Sequence, residues 1–97
     1  MRNLLFSLVF LFSANAFAIP EKYDSDVKQF IYNNLKDISY KQQILNKMHN
    51  LVTYFDYHNN YYASSKIKLT IYYIEMFDIE NMPEEQQKVT LFFIKNV

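Results

Sequence analysis

Few residues in this chain have side chains suited to acid–base or metal chemistry, and their spacing keeps them apart. The two histidines, His49 and His58, are nine residues apart on one predicted helix. At about 100 degrees per residue they point to opposite sides of that helix and cannot share a metal ion. Asp56 and His58 are two residues apart, which also puts their side chains on different helix faces. The histidines therefore predict neither a metal site nor a catalytic pair.

Several catalytic classes are excluded by residue types that the chain lacks. It has no cysteine, which excludes thiol catalysis and thiolate metal sites, and no glycine, which excludes glycine-rich phosphate-binding loops. Five acidic residues cluster within eleven positions, without the glycine and spaced oxygen ligands of a calcium loop, and predict a solvated acidic edge: Glu75, Asp78, Glu80, Glu84 and Glu85. We expect a protein that is not an enzyme and that uses no cofactor and no metal.

Tyrosines give the sequence its most informative feature. On the predicted second helix the apolar stripe centres on Met48, Val52 and Phe55, and a second group lies about 120 degrees away from it. This group, the tyrosine surface, consists of Tyr54, Tyr57, His58 and Tyr61. Because a helix in a small domain buries mainly one face, we expect the tyrosine surface to be at least partly exposed and to bind a partner protein. Two other interpretations remain: neighbouring helices cover these side chains, or they stack on sugars.

Two amphipathic helices must position these residues. The first follows Asp24-Ser25-Asp26, which are N-cap residue types, and its apolar stripe comprises Val27, Phe30, Ile31, Leu35 and Ile38. The second begins at Ser39 with Gln42 three residues later, a capping-box spacing. Its apolar face comprises Ile44, Leu45, Met48, Leu51, Val52 and Phe55 and extends to Tyr62, and Asn59 and Asn60 mark its natural end.

The C-terminal third fits two structures. Residues 66–79 show a helical stripe after a Ser64-Ser65 cap, and they also alternate as a strand would. Residues 81–85 open like a helix, with an early proline and two acids, although residues 89–94 could form a strand. We expect a mainly α fold, a bundle of about four helices, because the chain has no glycine and an early Pro83. The alternative is an α+β fold with two helices packed on a C-terminal β-hairpin.

The N-terminus has the anatomy of a secretory signal peptide. Arg2 precedes the apolar run from Leu4 to Phe12, and Ala16-Phe17-Ala18 has the form of a cleavage site. We expect residues 1–18 to be removed and residues 19–97 to form a single domain in the periplasm or outside the cell. A retained N-terminal anchor is the alternative, because residues 3–20 carry no charge and approach the roughly 20 residues that span a bilayer.

Charge balance narrows the kind of partner. Ten basic and ten acidic side chains give a formal net charge of +0, unlike the basic excess of nucleic-acid-binding proteins. We expect a partner that is another periplasmic or membrane protein, or a second copy of this chain. An inhibitor, an immunity factor or a phage lysis regulator fits, the last similar to antiholins in architecture alone. The alternative is a membrane-active amphipathic protein, a toxin or holin accessory, which a mature chain without positive net charge does not favour.

Overall fold

Residues 24–96 are described by a computed structural model, in which four α-helices follow one another. They are α1 (Asp24–Leu35), α2 (Ile38–Tyr57), α3 (Tyr61–Glu75) and α4 (Glu84–Asn96). No strand occurs within this range, so residues 66–96 form helices and not a hairpin. The predicted small helical bundle is confirmed. The predicted signal peptide, residues 1–18, lies outside the described residues.

The core forms where one face of each helix meets the others. Helices α2 and α3 pack as an antiparallel pair, since His49 contacts Glu75 while Asp56, further along α2, contacts the earlier Lys68. Helix α4 contacts all three other helices. The buried apolar side chains come from every helix and from the α3–α4 loop: Ile31, Leu35, Ile44, Leu45, Met48, Phe55, Ala63, Ile67, Ile71, Ile74, Ile79, Met82, Val89 and Phe93. Each helix is therefore held mainly by burial of its apolar face.

The predicted apolar faces of the first two helices are largely correct, with two exceptions in the stripe predicted for α1. Ile38 is exposed because α1 ends at Leu35 and Ile38 already begins α2. Phe30 is also exposed, although it was expected in the stripe of α1. The N-cap of α2 is Asp37, whose carboxylate accepts a hydrogen bond from the Tyr40 N–H at 3.1 Å. The capping box predicted at Ser39 is therefore wrong.

Helix α3 begins earlier than its predicted serine cap. Asn60 caps it by accepting a hydrogen bond from the Ala63 N–H at 3.3 Å, and Ser64 is buried inside the helix. Tyr62 consequently lies on α3 and not on α2. Helix α4 begins after Pro83 with Glu84 and Glu85 in its first turn, as predicted. The Tyr40 hydroxyl donates to the Ile94 carbonyl at 3.2 Å and joins the start of α2 to the end of α4.

Candidate protein-binding surface

The tyrosine surface lies at the corner where α2 passes into α3. Tyr54 and Tyr57 belong to the last turn of α2, His58 is its C-cap, and Tyr61 is the first residue of α3. The prediction that all four lie on one helix is therefore wrong. The break occurs at Asn59, which has a φ of 60 degrees, a left-handed conformation that asparagine tolerates better than most residues.

Backbone hydrogen bonds fix the geometry of this corner. The Asn59 N–H donates to the Asp56 carbonyl at 3.1 Å, and the Asn60 N–H donates to the Phe55 carbonyl at 2.8 Å. These two bonds form a Schellman motif, which satisfies carbonyls that a helix end would otherwise leave unpaired. Asn60 then caps α3. One end of α2 and the start of α3 are thus held in a defined orientation by adjacent asparagines.

All four side chains of the tyrosine surface are exposed. The exposed fractions are 82% for Tyr57, 60% for Tyr61 and 40% for Tyr54, and His58 is exposed as well. These values show that neighbouring helices leave the tyrosines accessible, even though Phe55 beside them is buried. Their binding role stays a prediction.

Within the tyrosine surface, the His58 ring contacts the rings of Tyr54 and Tyr57. The His58 ring lies 4.3 Å from the Tyr54 ring and 5.2 Å from the Tyr57 ring, measured between centroids. Tyr54 also makes an edge contact of 5.6 Å with buried Phe55, which connects the group to the core. The Tyr61 hydroxyl donates to the Asn59 side-chain oxygen at 2.9 Å. These contacts join the side chains into a cluster that is connected to the core through Phe55.

Two side-chain contacts link α2 to α3: an ion pair near the tyrosine surface, and a histidine–carboxylate contact near the end of α3 that is an ion pair only when the histidine is protonated. The Lys68 ammonium lies 3.5 Å from an Asp56 carboxylate oxygen, and His49 Nε2 lies 3.5 Å from a Glu75 carboxylate oxygen. His49 and His58 therefore have different partners and do not meet. Among residues 24–96 no three acidic or histidine side chains are grouped closely enough to hold a metal ion.

The acidic residues of the C-terminal third are spread over separate contacts. Glu85 forms an ion pair with Lys66, and this hydrogen bond raises the pKa of the Lys66 ammonium from its ordinary value of 10.5. Glu84 lies 4.0 Å from Lys88 within α4, and Asp78 accepts a hydrogen bond from Asn81 at 2.9 Å. Each of these acids thus serves a local or interhelical contact.

Helix α3 carries a second apolar face that the sequence analysis did not identify. Four large side chains on its solvent side are between 43% and 64% exposed: Tyr62, Leu69, Tyr72 and Met76. Together with exposed Ser65 they form what we call the α3 outer face. These residues recur in the sequence at helical spacings of three and four. The same segment also alternates as a strand would, so the sequence alone did not identify this second helix face.

Two clefts border α1. One, of about 490 Å³, is lined by residues of α1 and of the α3–α4 loop, among them Lys28, Tyr32, Phe77 and Glu80. The other is an open, mainly apolar groove of about 340 Å³ between α1 and α4, lined by Val27, Phe30 and Leu91 with Asp26 and Lys95 at its edge. Neither cleft contains a histidine.

None of the helices in residues 24–96 is both long enough and apolar enough to cross a membrane.

No protein-family model, no curated protein and no solved structure shows significant similarity to the chain.

Proposed function

We propose that this chain is an exported, non-enzymatic protein that acts by binding another protein through the tyrosine surface. The observation that carries the proposal is the exposure of Tyr57, 82%, combined with its ring contact to His58. Export is supported by the sequence of residues 1–18, and the exposed aromatic composition of the tyrosine surface supports a binding role. An inhibitor, an immunity factor or a lysis regulator would work in this way.

Tyrosine suits such a surface for physical reasons. It offers a large flat contact area, loses the freedom of only two side-chain torsions, and keeps a hydroxyl for a polar contact. Interface residues that contribute most to affinity are enriched in tyrosine, and removing one such side chain costs about 2 kcal/mol or more. Because Tyr54, Tyr57 and His58 already contact one another, binding would order them at a reduced entropic cost.

The test is crosslinking in cells that express the tagged chain, followed by mass spectrometry of the captured protein. The Tyr57→Ala/Tyr61→Ala double variant should lose the captured partner while its melting temperature changes little, since both side chains are mainly exposed. Tyr72→Ala is the matched control, because Tyr72 is 56% exposed but lies on the α3 outer face. This control should retain the partner.

Two results would contradict the proposal. Capture of the same exported or membrane protein by the wild type and by the double variant would show that the tyrosine surface is not the contact. Unfolding of the double variant would show that these side chains stabilise the fold, and the binding claim would then be abandoned.

A further inference from the structure

The α3 outer face has the pattern of a helix that packs against another helix. Its five residues, Tyr62, Ser65, Leu69, Tyr72 and Met76, follow one another at intervals of three, four, three and four. This is the a/d spacing of a two-stranded coiled coil. The face lies opposite Ile67, Ile71 and Ile74, which are buried in the core. Helix α3 is therefore apolar on two sides, and only one side is covered within residues 24–96.

Charges beside this face indicate what covers it. In the heptad defined by Leu69 and Met76 at a and by Ser65 and Tyr72 at d, the g positions are occupied by Lys68 and Glu75. Both lie on the side of α3 that faces α2, where they contact Asp56 and His49. Their side chains are nevertheless 59% and 53% exposed. Two opposite charges thus stand one heptad apart on one flank of the face.

We infer that the α3 outer face binds the same face of a second copy of this chain, with the two α3 helices antiparallel. In an antiparallel pair the g positions of one helix face the g positions of the other. Lys68 then faces Glu75 of the second copy, and Glu75 faces Lys68 of the second copy. A parallel pair forms neither ion pair, because g positions would then face the e positions, which hold Lys66 and Tyr73.

The same register also matches side-chain volumes. When Lys68 faces Glu75 of the second copy, each a position meets a d position of the second copy across the interface. Leu69 then packs against Tyr72 of the second copy, and Met76 packs against Ser65 of the second copy. Each of these two pairs combines a larger with a smaller side chain, as interdigitating packing requires. Charge and volume therefore select one register independently.

The size of the face sets the expected affinity. Four side chains that are each about half exposed offer on the order of 400 Å² per copy, taking the areas typical of such residues. A stable interface of standard size buries about 800 Å² per partner. We therefore expect a weak dimer that dissociates at concentrations between about 10 µM and 1 mM. The inference does not depend on the proposed function, which uses a different surface.

Sedimentation velocity of the purified chain, with its N-terminus established by intact mass, tests the pairing. Lys68→Glu and Glu75→Lys should each weaken dimerisation about tenfold, because each makes both ion pairs repulsive. The double variant Lys68→Glu/Glu75→Lys recreates both intermolecular pairs and should recover dimerisation. Urea denaturation of each variant checks that losing the contacts with Asp56 and His49 leaves α3 folded. Lys36→Glu, which makes the same charge change after the end of α1, is the matched control and should leave dimerisation unchanged.

The absence of native cysteine allows the register to be tested directly. Ser65→Cys and Met76→Cys variants are mixed in equal amounts and oxidised, and the disulfide-linked products are identified by intact mass. The antiparallel register predicts that the mixed product, one chain of each variant, dominates. A product that links two Ser65→Cys chains would indicate a parallel pair and overturn the inference.

Further results would overturn the antiparallel dimer or its register. A wild-type chain that stays monomeric up to about 1 mM overturns the inference, and the face would then belong to a different protein or to lipid. Loss of dimerisation in both single charge variants without recovery in the double variant overturns the register. Tyr57→Ala should dimerise normally, so that failure of the proposed function and failure of this inference can be told apart.

Discussion

Ser64 places a hydroxyl inside an otherwise apolar part of the bundle. The residue is 1% exposed, and its oxygen has no hydrogen-bond partner among residues 24–96. A buried hydroxyl without a partner loses its hydration and gains nothing in return. We therefore expect Ser64→Ala to increase the free energy of unfolding by about 1 kcal/mol, measured by urea denaturation followed by circular dichroism.

Ser65 provides the control for this prediction, because it is the next residue on α3 and is exposed. Ser65→Ala changes helix propensity in the same way but removes no buried hydroxyl, so it should stabilise the chain by only about 0.5 kcal/mol or less. Equal stabilisation by the two variants would mean that the Ser64 hydroxyl is satisfied in solution, for example by a water molecule.

The ends of α2 and α3 show how a chain without glycine terminates its helices. Both ends form a Schellman motif, and in both the left-handed position is occupied by a residue with a Cβ atom. Asn59 occupies it after α2 and Phe77, with a φ of 53 degrees, occupies it after α3. The Asp78 N–H donates to the Tyr73 carbonyl at 2.9 Å, and the Phe77 N–H donates to the Ile74 carbonyl at 3.0 Å.

A phenylalanine in this conformation costs about 1–2 kcal/mol relative to glycine, so its side chain must compensate. The Phe77 ring lies 5.2 Å from the Tyr32 ring, and the Lys41 ammonium lies 5.3 Å from its centroid. We expect Phe77→Ala to destabilise the chain more than Phe77→Gly, by about 1 kcal/mol, because alanine loses the ring but keeps the backbone strain. Urea denaturation of the two variants measures the difference.

The expected order at Phe77, with glycine more stable than alanine, is the reverse of the order inside a helix. There, alanine is more stabilising than glycine by about 1 kcal/mol. Exposed Lys68, within α3, supplies the comparison: Lys68→Ala should be more stable than Lys68→Gly. If Phe77→Ala were instead more stable than Phe77→Gly, the chain in solution would not hold this position in a left-handed conformation.

The elements themselves could be predicted to different extents. Helices α1 and α2 have one apolar face each, and their periodicity identified them. The N-caps of α2 and α3 were misplaced because N-cap residue types recur nearby: Asp37 stands two residues before Ser39, and Asn60 stands four before Ser64. Helix α3 resembled a strand because its outer-face Leu69 falls between its core residues Ile67 and Ile71, which creates an alternation of apolar residues. Where one segment fits both a helix and a strand, tertiary packing determines which of the two forms.

The candidate surfaces illustrate the same limit at the level of the whole molecule. Exposure of Tyr57 followed from its angular distance to the core stripe of α2, which a single helix already determines. Tyr61 lies beside that group for a different reason, the turn at Asn59, which brings the start of α3 to the end of α2. The α3 outer face becomes recognisable only once α3 is known to be a helix. A surface on one helix can therefore be predicted only where the helix itself is predicted, and a surface shared by two helices also requires the turn between them.

Both surfaces depend on a small core that α4 closes. Phe93 is 0% exposed on the helix that contacts each of α1, α2 and α3. Removing a buried phenylalanine side chain costs about 3–5 kcal/mol, and a domain of this length has a total stability of about 4–11 kcal/mol. We expect Phe93→Ala to remove at least about a quarter of the stability and to lower the urea midpoint accordingly, measured by circular dichroism.

Phe93→Leu keeps most of the apolar volume and should cost about 1.5 kcal/mol or less. If Phe93→Ala unfolded at the same urea concentration as the wild type, α4 would not close the core in solution. The same pair of variants connects stability to binding. At urea concentrations where Phe93→Ala is unfolded and Phe93→Leu is folded, the tyrosine surface and the α3 outer face should both be lost in the alanine variant alone, because each surface exists only while the core holds α2 against α3.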